Sequence, residues 1–351
     1  MTRPEDLIYG VDELPPWPRL IFLGAQHAVL MSVYLVLTVI VFRSADASHA
    51  ATLSALSLGM IALAISTILQ AIWQGPVGSG YLAPPVFSAI YIGPAVFAAE
   101  TGGLPAVFAM TIFAGAVEIT LAPLLRRLRT LFPPAISGFI VAIVGIQLGV
   151  IGIGDLLGIE HIERPTFHEH LVVGFLTQAT MCAFSVWGRG VVRLICSMLG
   201  IAVGMVGSLV LGLVSTDSMQ SFLDAPTFAI PEPHYLAYDF RFSLISAFLM
   251  AGTAAMLCTV GVITTCQKIN DAEWKRPDLG PIQRGILAEG IGCMLGGLSG
   301  VIGMNTAPSL VGVSKVTGAT SAISRSPARR SSSYSPLFRN TPRCFCYCRS
   351  R

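Results

Sequence analysis

GPVGSGYLAPPVFSAIYIGPA, from Gly75 to Ala95, decides the fold, because a span-length stretch here carries residues that a helix tolerates poorly. Pro84, Pro85, Gly93 and Pro94 crowd it. Proline removes a backbone donor and biases the residue before it towards extended geometry. A second stretch, SGVIGMNTAPSLVGVSKVTG from Ser299 to Gly318, repeats the theme: small and polar residues, then Pro308, then a short apolar run. Irregular backbone at membrane depth survives only where it is buried in protein or lines a cavity. Two broken segments in corresponding places of two halves are the best pointer in a sequence to a transporter's midplane site. Two kinked packing helices would leave the same trace.

Everything around these stretches reads as membrane protein. Of 351 residues, 53% are hydrophobic and 12% charged, with a mean hydropathy of +0.71. Soluble domains carry about 25% charged residues. Apolar blocks run near 20–42, 51–73, 84–99, 104–125, 131–153, 170–187, 190–214, 243–265, 281–299 and 303–321. The fold class expected is therefore an all-α polytopic membrane protein of about ten spans. Arg126, Arg127 and Arg129, then Arg189 and Arg193, then Lys268, Lys275, Arg276 and Arg284 load the even-numbered loops with positive charge. Positive-inside counting puts those loops and the N-terminus in the cytoplasm.

The net charge of +3 comes from the tail. Residues 322–351 hold seven arginines and no acid, which leaves 15 basic against 19 acidic side chains before them. No basic nucleic-acid face is expected on the body. The start, MTRPEDLIYGVDELPPWPR, has no apolar signal-peptide core. Motifs of the H-E-x-x-H and G-x-S-x-G kinds are missing, so an enzyme is not expected. Cys182, Cys196, Cys258, Cys266 and Cys293 lie in or at the end of apolar spans, where inert buried thiols are the default. Cys344, Cys346 and Cys348 match no standard zinc spacing. The histidines and glutamates of HIERPTFHEH, from His161 to His170, suit a solvated loop better than a metal site. The Gly200/Gly204 and Gly292/Gly296/Gly300 spacings suit close helix packing.

Ionisable groups inside spans are costly and functional by default. His27, with Gln26 beside it, lies in span one, and Glu289 lies in span nine. His27 suits a bond to a neighbouring helix or contact with a solute. Glu289 suits a proton carrier or a polar tie to span one or ten. Glu118 and Lys315 lie nearer span ends or broken segments.

Four stretches together resemble the nucleobase–ascorbate transporter family, the xanthine/uracil permeases. They are GAQHAVLM in span one, RRLRTLFPPAISGFIVAIVGIQLGV around span five, PIQRGILAEGIGCMLGGLSGVIG in span nine and VGVSKVTGATS after span ten. The resemblance implies an inner-membrane symporter that carries a purine or pyrimidine nucleobase-like solute with protons, or with sodium in some branches, and needs no cofactor or metal. It implies fourteen spans in two inverted repeats of seven, each a four-span core and a three-span gate, with the core sliding as an elevator. On this chain that divides into a cytoplasmic segment 1–19, core spans 20–125, gate spans 126–214, core spans 215–321 and a tail 322–351. A homodimer in the lipid bilayer is the implied assembly.

The same resemblance points to a substrate site between spans three and ten beside span eight, formed by Phe87, Ser88, Cys258, Asn305, Thr306 and Ser309. His27, Gln26 and Glu289 would form a proton-coupling or polar network. The family's span-eight glutamate slot falls on Cys258, three residues before Gly261. In the span-ten signature Ser309 and Leu310 replace the usual polar pair, while Gly312, Thr317 and Gly318 fit. A carboxylate to grip a base edge is therefore missing: either Asn305, Thr306, Ser309 and backbone groups do that work, or the solute differs from the usual bases, and a divergent branch with shifted specificity is the preferred expectation. After Ser321 the family pattern stops, and the Arg, Ser, Pro and Cys mixture reads as out-of-frame translation or else a disordered basic tail. With part of the second repeat unaccounted for, poor transport by the chain as written is expected, and a non-transporting membrane protein is the competing expectation.

Overall fold

The computed structural model describes residues 4–125 apart from 5, 6, 12 and 74, scattered positions between 139 and 153, residues 167–214 apart from 190, 191 and 193–195, and residues 231–320. The expected span over 131–153, part of that over 190–214, the histidine loop before 167 and the tail lie wholly or largely outside them. In chain order the helices are α1 (Trp17–Ser32), α2 (Leu35–Ser44), α3 (His49–Ala71), α4 (Ile92–Leu121), α5 (Phe167–Val186), α6 (Cys196–Val210), α7 (Ile245–Asn270), α8 (Leu279–Leu298) and α9 (Pro308–Thr317). Two three-residue strands, β1 (Pro85–Phe87) and β2 (Met304–Thr306), form one antiparallel pair.

Among the described residues four helical stretches are long and apolar enough to cross a membrane: Trp17–Ser44, His49–Ala71, Ala89–Leu124 and Phe242–Asn270. Their outward faces carry large apolar side chains, among them Phe22, Ile61, Ile68 and Phe97, as a lipid solvent requires. The chain is a mostly helical, multi-pass membrane protein. Spans three and ten are broken, as expected from their prolines: neither is one through-going helix. Over 84–99 the chain is first a strand and then a helix, and over 303–321 a strand precedes a ten-residue helix. The cause is local, since the Pro84-Pro85 pair cannot supply the donors of a helix and Pro308 sets one only from its own position onward.

Caps and glycines fix the ends. The Ser48 hydroxyl accepts from the Ala51 amide at 3.2 Å to start α3, and the Asp278 carboxylate accepts from the Gly280 amide at 3.0 Å to start α8. Within α4, Gly103 has φ 69° and ψ −173°, so the helix is two pieces meeting at a kink. α9 stops at Gly318, whose φ is 64° and ψ 18°. The amides of Ile8 and Tyr9 bond back to the Gly318 carbonyl at 2.8 and 2.9 Å, which ties the N-terminal segment to the end of α9.

α4 runs through the centre and packs on α7 and α8. Between apolar helices in lipid, close packing rather than escape from water drives association, so small residues mark the seams. A Cβ on Gly115 would lie 2.6 Å from the Gly290 carbonyl oxygen, and one on Gly290 2.8 Å from the Gly115 oxygen. The two backbones touch there because neither residue has a side chain. The expected glycine ladders also sit at packing seams: Gly200 and Gly204 of α6 face Met181 and Thr177 of α5, and Gly292 faces Ser66 of α3. Beyond the α4 seam, Phe42, Phe108 and Tyr235 cluster with ring centroids 6.0 to 6.2 Å apart.

Candidate functional site: the strand crossing and its carboxylates

The two broken segments meet. Pro85 pairs with Thr306, Val86 with Asn305 and Phe87 with Met304. Just beyond the strands, the Ala307 amide donates to the Pro84 carbonyl at 3.2 Å and the Ser88 amide to the Gly303 carbonyl at 2.9 Å. Each segment therefore satisfies the other's backbone at a depth where water would have to do it. Successive strand residues point to opposite faces. Thr306 and Met304 share one face with Phe87, and Asn305 shares the other with Val86.

On the first face Thr306 meets Glu289. The Thr306 amide donates to Glu289 Oε2 at 3.1 Å, the Thr259 hydroxyl donates to the same oxygen, and the Thr259 and Thr306 hydroxyls lie 2.7 Å apart. One carboxylate thus joins α8, α7 and β2. On the other face the Asn305 side chain lies beside the Cys258 thiol of α7. Cys258, Asn305 and Thr306 are all buried.

The remaining sequence candidates are spread more widely. Phe87 is fully buried, with its ring beside Gly59 and Val301 in the apolar core. Ser88 is buried and accepts from the Ile90 amide at 3.1 Å, capping the turn that leads into α4. Ser309 stands exposed at the start of α9, its hydroxyl 2.8 Å from the Tyr34 hydroxyl. Within α9 the Thr317 hydroxyl bonds the Val313 carbonyl at 3.0 Å, and nothing lies within 4 Å of a Cβ built on Gly312.

His27 and Glu289 do not form one network among the described residues. His27 Nδ1 donates to the Leu23 carbonyl at 2.9 Å and its Nε2 lies 3.3 Å from the Ser314 hydroxyl of α9. Glu289 instead faces α7 and β2. Gln26 is half-buried, and its Nε2 has no protein partner. The separation follows from packing: α1 lies against the end of the second broken segment, whereas α8 lies beneath its strand.

A third ionisable group emerges from the geometry. Glu118 of α4 is completely buried and accepts from the Tyr91 hydroxyl at 2.5 Å. The sequence held the clue, an acid inside AGAVEITL, but its place near a block end hid its depth. Thr259 left no such signal, since a threonine in an apolar helix bonds its own backbone as readily as a neighbour.

A separate cavity of about 660 Å³ opens between α1 and α3, walled by Leu20, Leu23, Met31, Met60, Leu63 and Ile68 with His27 at its edge. Its apolar walls offer little to a polar base, and neither Asn305 nor Cys258 lines it.

Comparison with known proteins fits this frame. The uric acid permease PucJ of Bacillus subtilis is 26% identical over 302 residues, covering 84% of this chain and 66% of its own length. The xanthine permease XanQ of Escherichia coli is 29% identical over 340 residues, covering 90% of this chain and 70% of its own. The chain spans about two thirds of the length of the curated relatives it matches, between 64% and 70%. These relatives are named as permeases, transport proteins rather than enzymes. Residues 18–325 match the model of the Permease family of xanthine and uracil type, and the chain belongs to that family.

Proposed function

We propose that this chain forms the solute-binding core of a secondary transporter for nucleobase-like solutes, with purines of the xanthine and uric acid kind as the first candidates. The strand crossing carries the reading: it sets Asn305, beside Cys258, on one face and Glu289, behind Thr306, on the other. An oxidised purine offers alternating N–H donors and carbonyl acceptors along its edges. The Asn305 amide can match one donor and one acceptor, and the first amides of α9 supply further donors. The absence of a carboxylate at Cys258 favours a solute gripped by neutral bonds.

In this reading residues 20–125 and 215–321 form the mobile core and 126–214 the gate, with the N-terminus cytoplasmic in a bacterial plasma membrane. The packing of α5 on α6 supports a gate with a seam of its own. A proton is the proposed coupling ion, because Glu289 is bonded to the strand that carries the site. Coupling then needs no cofactor: loading a proton changes what Glu289 can accept from Thr306 and Thr259.

The test is ligand binding by the purified 351-residue chain, with uptake measured in parallel in cells expressing it. Xanthine or uric acid should raise the apparent melting temperature, and Asn305→Ala should reduce that rise. No stabilisation by any base across a panel of xanthine, uric acid, uracil and hypoxanthine would reject the reading. Stabilisation without uptake would favour a ligand-binding protein that does not itself transport.

A further inference from the structure

Glu118 and Glu289 reach the centre of the molecule from two helices, α4 and α8, whose backbones touch at Gly115 and Gly290. A Cβ on Gly290 would lie 3.1 Å from the Glu118 Cβ, and the Gly115–Gly290 contact holds α4 against α8 one turn away. Across this seam a charge on Glu289 is felt at Glu118. Each is more than nine-tenths buried, and each keeps one oxygen, Glu118 Oε2 and Glu289 Oε1, without a protein donor. Every donor they have goes to the other oxygen: the Tyr91 hydroxyl to Glu118, and the Thr259 hydroxyl and Thr306 amide to Glu289. Among the described residues the ion pairs recorded are His234–Glu232 and Arg241–Asp239, and neither involves these groups.

Two carboxylates so placed cannot both remain charged, since neither has a cation and like charges in a buried site repel strongly. A proton removes the conflict. We infer that Glu118 and Glu289 act as one proton-holding pair, which makes Glu118, clamped by Tyr91, a second seat of the coupling proton. The inference rests on the coupling role proposed for Glu289 above. Among the described residues the other titratable groups near the pair are thiols and the Tyr91 phenol: Cys293 of α8 lies near both carboxyls and Cys258 of α7 near Glu289. None of them supplies a positive charge. The pair holds that proton on the two oxygens left without a protein donor, Glu118 Oε2 and Glu289 Oε1.

The experiment is infrared titration of the carboxylic acid band in the purified, detergent-solubilised chain, wild type against Glu118→Gln, Glu289→Gln and Tyr91→Phe. The wild type should titrate in two steps separated by more than about one pH unit, as strongly interacting sites do. Each Gln variant should leave a single step whose midpoint matches neither wild-type step. Tyr91→Phe, which changes only one donor, should displace both steps and serves if a Gln variant does not fold. A Glu289 step left at its wild-type position by Glu118→Gln would overturn the inference. So would a Glu118 signal that never changes between about pH 5 and 9 while Glu289 titrates alone. Purine stabilisation measured on the same samples separates the two readings: its absence with the coupled titration intact rejects the solute assignment and leaves the pair standing.

Discussion

The two strand–helix segments that meet at the centre have one outline and opposite contents. β1 presents Pro85, Val86 and Phe87 and leads, through the Ser88 turn, into thirty residues of kinked helix. β2 presents Met304, Asn305 and Thr306 and leads into a helix of ten. The first is a scaffold: Phe87 fills the core and α4 runs on to pack against α7 and α8. The second is chemically active: its Thr306 amide donates to Glu289 and its Thr306 hydroxyl meets that of Thr259, its Asn305 faces Cys258, and Ser309 stands at the exposed start of α9. The same backbone device thus anchors on one side and presents polar groups on the other. Substitutions in the two segments should therefore fail in different ways.

The largest expected effect breaks the active side. Glu289→Ala removes the acceptor of the Thr259 hydroxyl and the Thr306 amide; the hydroxyl can turn to that of Thr306, but the buried amide is left unpaired. That should cost roughly 3 kcal/mol, the upper end for a buried group that loses a charged partner. Thermal denaturation of the purified chain should show a markedly lower melting temperature, whereas Glu289→Gln, which keeps an acceptor oxygen, should recover most of it. Equal losses in both variants would mean that charge, not hydrogen bonding, holds β2 in place.

Next comes the seam that supports the scaffold. Gly290→Val places a branched side chain where the Gly115 carbonyl oxygen and the Ile119 side chain already sit within 2.8 Å of a Cβ. Overpacking of this kind costs about 2 kcal/mol. Its signature should be lower stability together with altered titration of the Glu118–Glu289 pair, because the same contact sets their separation.

A matched pair of substitutions tests the contrast directly. Val86 and Asn305 are register partners on one face of the crossing. Val86→Ala should cost roughly 1.5 kcal/mol of stability through two lost methyl groups, with ligand affinity little changed. Asn305→Ala should do the reverse, weakening purine binding by up to about tenfold, the worth of one good hydrogen bond, at little cost in stability. If both variants lose affinity equally, β1 is a binding element too and the contrast fails.

Much of this was legible in the sequence, and the limits have physical causes. Pro84-Pro85 and Pro308 marked both breaks, because a missing donor is a property of the residue itself. Their pairing to each other was expected only as nearness within a site, since strand register depends on partners more than two hundred residues apart. His27 and Glu289 stood out as ionisable groups in apolar runs, but which neighbours they meet depends on helix rotation, so one expected network resolved into two. Glu118 was discounted because a block boundary read from hydropathy ended near it, while in three dimensions α4 carries it through the centre. Phe87 shows the converse: lying in the broken segment suggested contact with a solute, whereas the strand's alternation turns its ring into the core.

The smallest effect separates two glycines, one at the kink inside α4 and one at the end of α9. Gly103 and Gly318 both have positive φ, 69° and 64°, but their ψ angles are −173° and 18°. Gly318 is in the left-handed helical region, which asparagine enters readily because its short side chain bonds locally. Gly103 occupies a region open almost only to glycine, where any side chain costs of order 1 kcal/mol or more. Gly318→Asn should therefore leave the backbone unstrained, and Gly103→Asn should cost distinctly more. Packing cannot explain such a gap, because the one atom near a Cβ on Gly103 is Pro105 Cδ at 3.5 Å, an ordinary contact. The backbone angle alone must produce it. Equal behaviour of the two variants would mean that the α4 kink relaxes freely, and that the long first helix is held by its seam with α8 rather than by its turn.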